Sequence, residues 1–239
     1  MKTLQINNLP DLPFDVTESI NQLRVNLSFT GSDIKVIMIT STVPNEGKSY
    51  VSQGLWRSLA GVGKRVLHID CDLRMSEARS VLNMTTNGEF VGIAHLLSGQ
   101  ADIPDVVYKT NVPNGYMLPV TTAVADPTIL LESERFRILL ENCRETFDCI
   151  ILDTPPLGSV ADALNISKYC DGTVLVVRSG FTKKKFVNES VQALRRAGSP
   201  LLGIVLNRID TGKKGSSYYY KDYYKYGAYY YKGKKGKHK

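Results

Sequence analysis

Two periodicities alternate along this chain. Short, unbroken apolar runs occur in Lys35–Ser41 (KVIMITS), Arg65–Asp70 (RVLHID), Asp148–Thr154 (DCIILDT), Gly172–Arg178 (GTVLVVR) and Leu201–Asn207 (LLGIVLN). Runs this short, rich in Val, Ile and Leu, predict strands covered on both faces, as parallel strands are. Between them apolar residues recur every three or four positions, which predicts helices. The segment Thr17–Leu27 puts Ile20, Leu23 and Leu27 on one face, with Thr17 as the expected N-cap. Further helices are predicted over Ser49–Ala60, Gly92–Leu97, Asp126–Phe147, Ala161–Cys170 and Lys183–Ala197. The rest of 73–115 is less regular and carries several turn signals. Residues 1–14, broken by Pro10 and Pro13, read as an extended N-terminal arm. Strands each followed by a helix mean βαβ units, so residues 15–210 form an α/β domain with a mostly parallel sheet flanked by helices on both faces. In such a sheet, polar residues at the carboxyl ends of strands mark the place for a site.

Composition adds bounds. With 239 residues and 43% apolar content the chain is long enough for one sizeable core. It contains no apolar run of about 18 residues, the length a membrane helix needs. The N-terminus has no apolar stretch typical of a secretory signal. Cys71, Cys143, Cys149 and Cys170 show no C-x-x-C spacing, so reduced, mostly buried thiols in a cytosolic setting are expected, without structural zinc.

The formal charge of +7 points at first to nucleic acid or a membrane surface. The charge is not spread evenly. Nine lysines and one acid, Asp222, give residues 211–239 a charge of +8, leaving residues 1–210 at −1. The same stretch holds nine of the 13 tyrosines: Tyr218, Tyr219, Tyr220, Tyr223, Tyr224, Tyr226, Tyr229, Tyr230 and Tyr231. It has no Leu, Ile, Val or Phe and therefore no apolar face to bury, which predicts a disordered C-terminal tail.

Three polar clusters sit at predicted strand ends. Thr42-Val43-Pro44-Asn45-Glu46-Gly47-Lys48-Ser49 lies between a strand and a helix. It fits the phosphate-binding pattern G-x-x-x-x-G-K-[ST] except that Thr42 stands at the first glycine. Backbone N–H groups of such a loop, continuing into Tyr50, hold phosphate oxygens. Lys48 reaches the β/γ-phosphates and the Ser49 hydroxyl ligates Mg²⁺, so ATP with Mg²⁺ is the expected cofactor pair. Asp153 ends the run Cys149–Leu152 and is placed to organise the same Mg²⁺. Asp70 and Asp72 end a third run; residues two apart on extended chain share a face, so both carboxylates are expected at one cavity, one serving metal and one accepting a proton.

In this order, STVPNEGKS, VLHIDCDLR and CIILDTPP resemble the Walker A, A′ and B motifs of the bacterial tyrosine kinases of capsule and exopolysaccharide clusters. The tyrosine-rich tail is similar to that family's autophosphorylated cluster. The resemblance runs from about Asp15 to the C-terminus and includes Leu23–Leu27, the DPTILLES segment and Gly203–Asn207. It implies a P-loop kinase that phosphorylates its own tail tyrosines. Lys48 would bind phosphate, Ser49, Asp70, Asp72 and Asp153 would serve Mg²⁺, Asp70 would act as base, and Asn207 would contact adenine. It further implies a ring-shaped homo-oligomer, a membrane-anchored activator that recruits the cytoplasmic kinase to the inner membrane face, and a tyrosine phosphatase. The family's E-x-x-R-x-x-R assembly motif stands here as Glu18, Asn21 and Arg24, with one Arg replaced. The family's D-L-R-R-P is Asp72-Leu73-Arg74-Met75-Ser76, so the loop after the second acid departs from the pattern.

Two other readings stay open at this point. One is an ATPase switch of the MinD/ParA type, although Ser41–Gly47 lacks the Lys that type carries early in its loop. The other is a nucleotide-binding scaffold whose Lys- and Tyr-rich tail stacks on single-stranded nucleic acid. A tail of 29 residues spans roughly 30 Å as a flexible coil, enough to reach its own or a neighbouring site. His68 and Trp56 read as core residues.

Overall fold

The computed structural model describes residues 2–31 and 33–209. The tail, with all nine of its tyrosines, lies outside the described residues.

One nine-stranded sheet runs through the domain in the order β4-β1-β5-β6-β3-β7-β2-β8-β9. The five predicted runs pair in parallel with one another: β2 (Val36–Ser41), β3 (Val66–Asp70), β7 (Cys149–Asp153), β8 (Gly172–Arg178) and β9 (Leu201–Asn207). Two further pairings in the sheet, of β3 with Gly115–Leu118 and of Thr3–Ile6 with Tyr108–Thr110, are also parallel. Every residue of β2, β3 and β7 is buried, as two-sided burial requires.

Alternate strand residues face opposite layers. Met38, Leu67, Ile69, Ile150 and Leu152 pack with α4 (Ile93–Leu97), α6 (Thr128–Leu131), α7 (Glu134–Thr146), α8 (Asp162–Ser167) and α9 (Lys184–Arg196). Ile37, Ile39, Val66, Ile151 and Val174 pack on the other face with α1 (Phe14–Ser28) and α2 (Lys48–Gly61). Trp56 of α2 is buried there, its indole N–H donating to Val66 O at 3.1 Å. Its role is packing.

The structure revises several expectations. Part of the extended arm is a sheet strand, β1 (Thr3–Ile6), because Leu4 and Ile6 are buried in the α1–α2 core. The irregular segment 73–115 contributes β4 (Met84–Thr86) and β5 (Tyr108–Thr110), with β6 at Gly115–Leu118 and two short helices, α3 (Ala78–Val81) and α5 (Ile103–Val106). The β1–β4 and β5–β6 pairings are antiparallel. Thr17 is not the N-cap. Pro13 holds that position, and Thr17 lies one turn inside, its N–H and hydroxyl both donating to Pro13 O. The helix expected over Asp126–Phe147 is two helices, because Ser133 takes an extended conformation and caps α7 through Phe136 N.

Candidate functional site

The strand order places β3, β7 and β2 side by side, so their carboxyl ends open at one edge of the sheet. Asp70 pairs in register with Asp153, and Asp153 with Ile39. The P-loop leaves β2 two residues further on. Parallel pairing alone therefore gathers the three clusters that lie far apart in the chain.

The loop from Thr42 to Gly47 is held by its own side chains. Glu46 is fully buried, and its carboxylate accepts from Val43 N at 2.8 Å, Arg178 N at 3.0 Å and the Thr182 hydroxyl. Asn207 Nδ2 donates to Glu46 O at 2.8 Å. The ends of β8 and β9 are thus bonded to the loop. Asn45 and Gly47 both take left-handed backbone, at φ 64° and 90°. The left-handed backbone at Gly47 favours glycine, and a Cβ there would lie 2.2 Å from Asn207 Nδ2 and displace the side chain that donates to Glu46 O. Thr42 needs no glycine, because its φ is not positive. The close approach falls instead on Gly158, whose N–H donates to Thr42 O at 3.0 Å and where a Cβ would meet that oxygen at 2.7 Å.

The first bond of α2 runs from Val51 N to Gly47 O. The N–H groups of Lys48, Ser49 and Tyr50 precede that ladder at the positive end of a 14-residue helix. Val43, Pro44 and Asn45 line the loop on its open side, with Pro44, Asn45 and the Tyr50 side chain exposed.

Lys48 meets the acids directly. Its Nζ lies 3.3 Å from Asp72 Oδ2, 3.8 Å from Asp153 Oδ1 and 3.4 Å from Ser49 Oγ. Burial works to lower the lysine pKa, but Asp153, Asp72 and Asp70 outweigh it and the net shift is upward. Asp70 is buried, and burial followed by the Asp153 carboxylate pushes it up to about 7. Hydrogen bonds from Ser76 Oγ and Asp72 N (3.1 Å), and then the charge of Lys48, oppose that rise. Asp153 Oδ1 is buried and accepts no hydrogen bond. A buried carboxylate oxygen that takes no hydrogen bond, and the Ser49 hydroxyl, both lie within 4 Å of the Lys48 Nζ; two oxygen donors of this kind are what a hard cation takes, so these residues fit Mg²⁺.

A family model described as an AAA domain matches residues 34–191. Tyrosine-protein kinase CpsD of Streptococcus agalactiae is 39% identical over 210 residues, covering 88% of this chain and 89% of that relative. The chain belongs to the bacterial tyrosine kinase family. The kinase domain of Escherichia coli tyrosine kinase ETK is similar with a TM-score of 0.75 and 28% identity, covering 83% of this chain and 79% of that one. The septum site-determining protein MinD of Pyrococcus horikoshii, complexed with Mg-ADP, is similar at TM-score 0.63 and 26% identity, over 76% of this chain and 72% of that one. The P-loop fold is thus shared with the ATPase switches, while the relatives named above that match more of this chain are tyrosine kinases. The chain is a protein-tyrosine kinase.

Placed in this kinase, the expected site residues fall into two groups. Lys48, Ser49, Asp70, Asp72, Asp153 and Asn207 converge around the P-loop. Glu18 and Arg24 lie on α1 instead: Glu18 is exposed and accepts from Asn21 Nδ2 at 3.3 Å, while Arg24 reaches α2, its Nε donating to Ser58 Oγ at 3.1 Å. Ser58 Oγ in turn donates to Asn21 Oδ1 at 2.9 Å, so the residue that replaces the motif's Arg is bound within the chain. His68 is buried, bonded to Ser52 Oγ at 3.1 Å, and burial lowers its pKa. All four cysteines are free thiols, three of them buried.

Three contributions were not legible in the sequence. The Glu46 carboxylate acts through partners 132 and 136 residues away. Arg74 anchors the loop after Asp72: it donates to Asp162 at 2.8 Å, to Ala125 O at 2.6 Å and to Asp126 at 3.3 Å. Ser76 reaches back to Asp70. Arg74 keeps the first Arg of D-L-R-R-P, and the sole sequence signal for Ser76 was its departure from that pattern.

Proposed function

We propose that this kinase transfers the γ-phosphate of MgATP to the tyrosines of its own C-terminal tail and serves the production and export of capsular or exopolysaccharide. The observation that carries the reading is the convergence of Lys48, Asp70, Asp72 and Asp153 at the carboxyl ends of adjacent strands.

The α2 N-terminus and Lys48 hold the phosphates, and Gly47 lets them approach the backbone. Ser49 and Asp153, assisted by Asp72, would hold Mg²⁺, which would supply charge neutralisation at the phosphates. A tyrosine hydroxyl is protonated at neutral pH and a poor nucleophile. Asp70, pushed up to about 7, accepts its proton as the tyrosine oxygen bonds to the γ-phosphorus. The bond from that phosphorus to the bridging oxygen breaks, and ADP leaves. Lys48 stays near the charge that develops on the transferred group. Asn207, bonded to the loop carbonyl of Glu46, is placed at the edge of the nucleotide site and contacts the adenine.

The tail suits the acceptor role because it is rich in tyrosine and basic, whereas the site is acidic. Each phosphate adds about −1.5 to −2 charges, so about four or five cancel the tail's +8 and with it the attraction. A ring assembled through Glu18 and Arg24 then loosens, and a phosphatase resets it. Attachment to the inner membrane face is the work of a membrane-anchored activator; among the described residues no helix is long and apolar enough to cross a membrane.

The test is to incubate the chain with MgATP and the candidate activator and to map phosphotyrosine by mass spectrometry. Phosphates on Tyr218–Tyr231, absent in Lys48→Met, support the proposal. Equal signal from Lys48→Met, or none in the wild type, overturns it.

A further inference from the structure

The loop after Asp72 supplies a hydroxyl to the centre of the site. Ser76 Oγ donates to Asp70 Oδ2 and accepts from Ala78 N at 3.3 Å. The other Asp70 oxygen accepts from Asp72 N at 3.1 Å. Each carboxylate oxygen thus holds one fixed bond and keeps free lone pairs. The Ser76 hydroxyl is itself held at a set place. Arg74, two residues before it, ties the loop to Asp162, which is buried, and to Ala125 O and Asp126. Asp162 also accepts from Thr128 Oγ1 at 2.9 Å. Met75 N donates to Asp72 Oδ1 at 3.2 Å, which fixes the turn between the two.

We infer that Ser76 is a positioning residue for the acceptor side of the reaction: it sets the plane of the Asp70 carboxylate so that a free oxygen lone pair meets the incoming tyrosine hydroxyl. The inference rests on the proposed role of Asp70 as base. Without Ser76 the carboxylate keeps a bond on one oxygen only and can rotate about its Cβ–Cγ bond, and a base turned away from the acceptor slows transfer. The nucleotide does not depend on this bond. Among the described residues, the hydrogen bonds of Lys48 and of the Glu46 brace go to partners other than Ser76. The effect therefore falls on turnover and not on MgATP binding.

The experiment compares full-length wild type, Ser76→Ala, Ser76→Thr and Asp70→Asn, measuring kcat for tyrosine phosphorylation of a tail peptide and KM for MgATP. Loss of a partner that orients a functional carboxylate costs roughly 10- to 100-fold in activity. Ser76→Ala is expected to lose that much kcat with KM for MgATP within about twofold, and Ser76→Thr, which keeps the hydroxyl, to recover most of it. Thermal melting of each variant identifies a folding defect, and the Ser76→Thr recovery distinguishes lost orientation from lost packing. If Ser76→Ala keeps wild-type kcat while Asp70→Asn is inactive, the Ser76 inference is overturned and the Asp70 role stands. If Asp70→Asn keeps wild-type kcat, the role of Asp70 as base fails. A Ser76→Ala loss confined to KM for MgATP also overturns the inference.

Discussion

The two halves of the sheet differ in direction and in chemistry. From β3 through β7, β2 and β8 to β9 every pairing is parallel, and all the converging site residues lie at the carboxyl ends of these strands, on the loops that leave them or in the first turn of α2. On the other side β4, β1, β5 and β6 include two antiparallel pairings and carry no candidate site residue. Parallel strands all end at one edge, so polar residues placed at their ends meet without further instruction. An antiparallel neighbour sends its end to the opposite edge. The parallel half is built for chemistry, and the mixed half extends the core.

The comparison predicts that substitutions separate by half. The largest effect is expected from Asp70→Asn in the parallel half: tyrosine phosphorylation falls by about 10²- to 10⁴-fold, the contribution of a positioned general base. Its melting temperature at pH 8 is expected to be no lower than wild type, because the ionised carboxylate it removes is buried beside Asp153. A melting temperature well below wild type would break the comparison from this side.

In the mixed half, Leu4→Ala is expected to lower stability by about 2–5 kcal/mol, as truncation of a buried leucine does. Its phosphorylation rate per folded molecule, measured at a temperature where the variant is folded, stays at the wild-type value. A smaller change is Tyr108→Phe. The buried phenol donates to Val91 O at 2.8 Å and accepts from Val91 N at 3.2 Å, so its loss costs roughly 1–3 kcal/mol by denaturant titration, again without loss of turnover. A turnover defect in either variant would show that the two halves are coupled.

A further effect falls on the pH dependence of stability. The folded pKa of Asp70 is raised, to about 7 from an ordinary value of about 3.9. The folded state then binds more protons than the unfolded state between those values. The contribution of Asp70 to stability is fully present below about pH 4 and is lost as pH rises through about 7. Asp70→Asn removes this slope, which paired denaturation curves at pH 5 and pH 8 measure. An unchanged slope would show that Asp70 titrates normally.

The same division explains what could be read from sequence. The five parallel strands announce themselves because two-sided burial writes an unbroken apolar run. The four others are three or four residues long, and Leu4 finds its neighbours at Thr86 and Thr110, so nothing local marks TLQI as a strand. In the site, Gly47, Lys48, Ser49, Asp70, Asp72 and Asp153 were legible because phosphate and metal chemistry demands those residue types at strand ends. Ser76 and the carboxylate of Glu46 were not. Their work depends on where a loop folds back, and a serine six positions after an aspartate carries no periodic signal, only its place in the departure from D-L-R-R-P.

The central claim is that Asp70 acts on the tyrosine and not on the nucleotide. It is tested most directly by following label from γ-phosphate-labelled ATP into tyrosine at saturating MgATP, for wild type and Asp70→Asn, with nucleotide affinity measured on the same preparations. The account predicts nucleotide affinity within a few-fold of wild type and transfer reduced by about 10²-fold or more. Transfer at the wild-type rate in Asp70→Asn would contradict it.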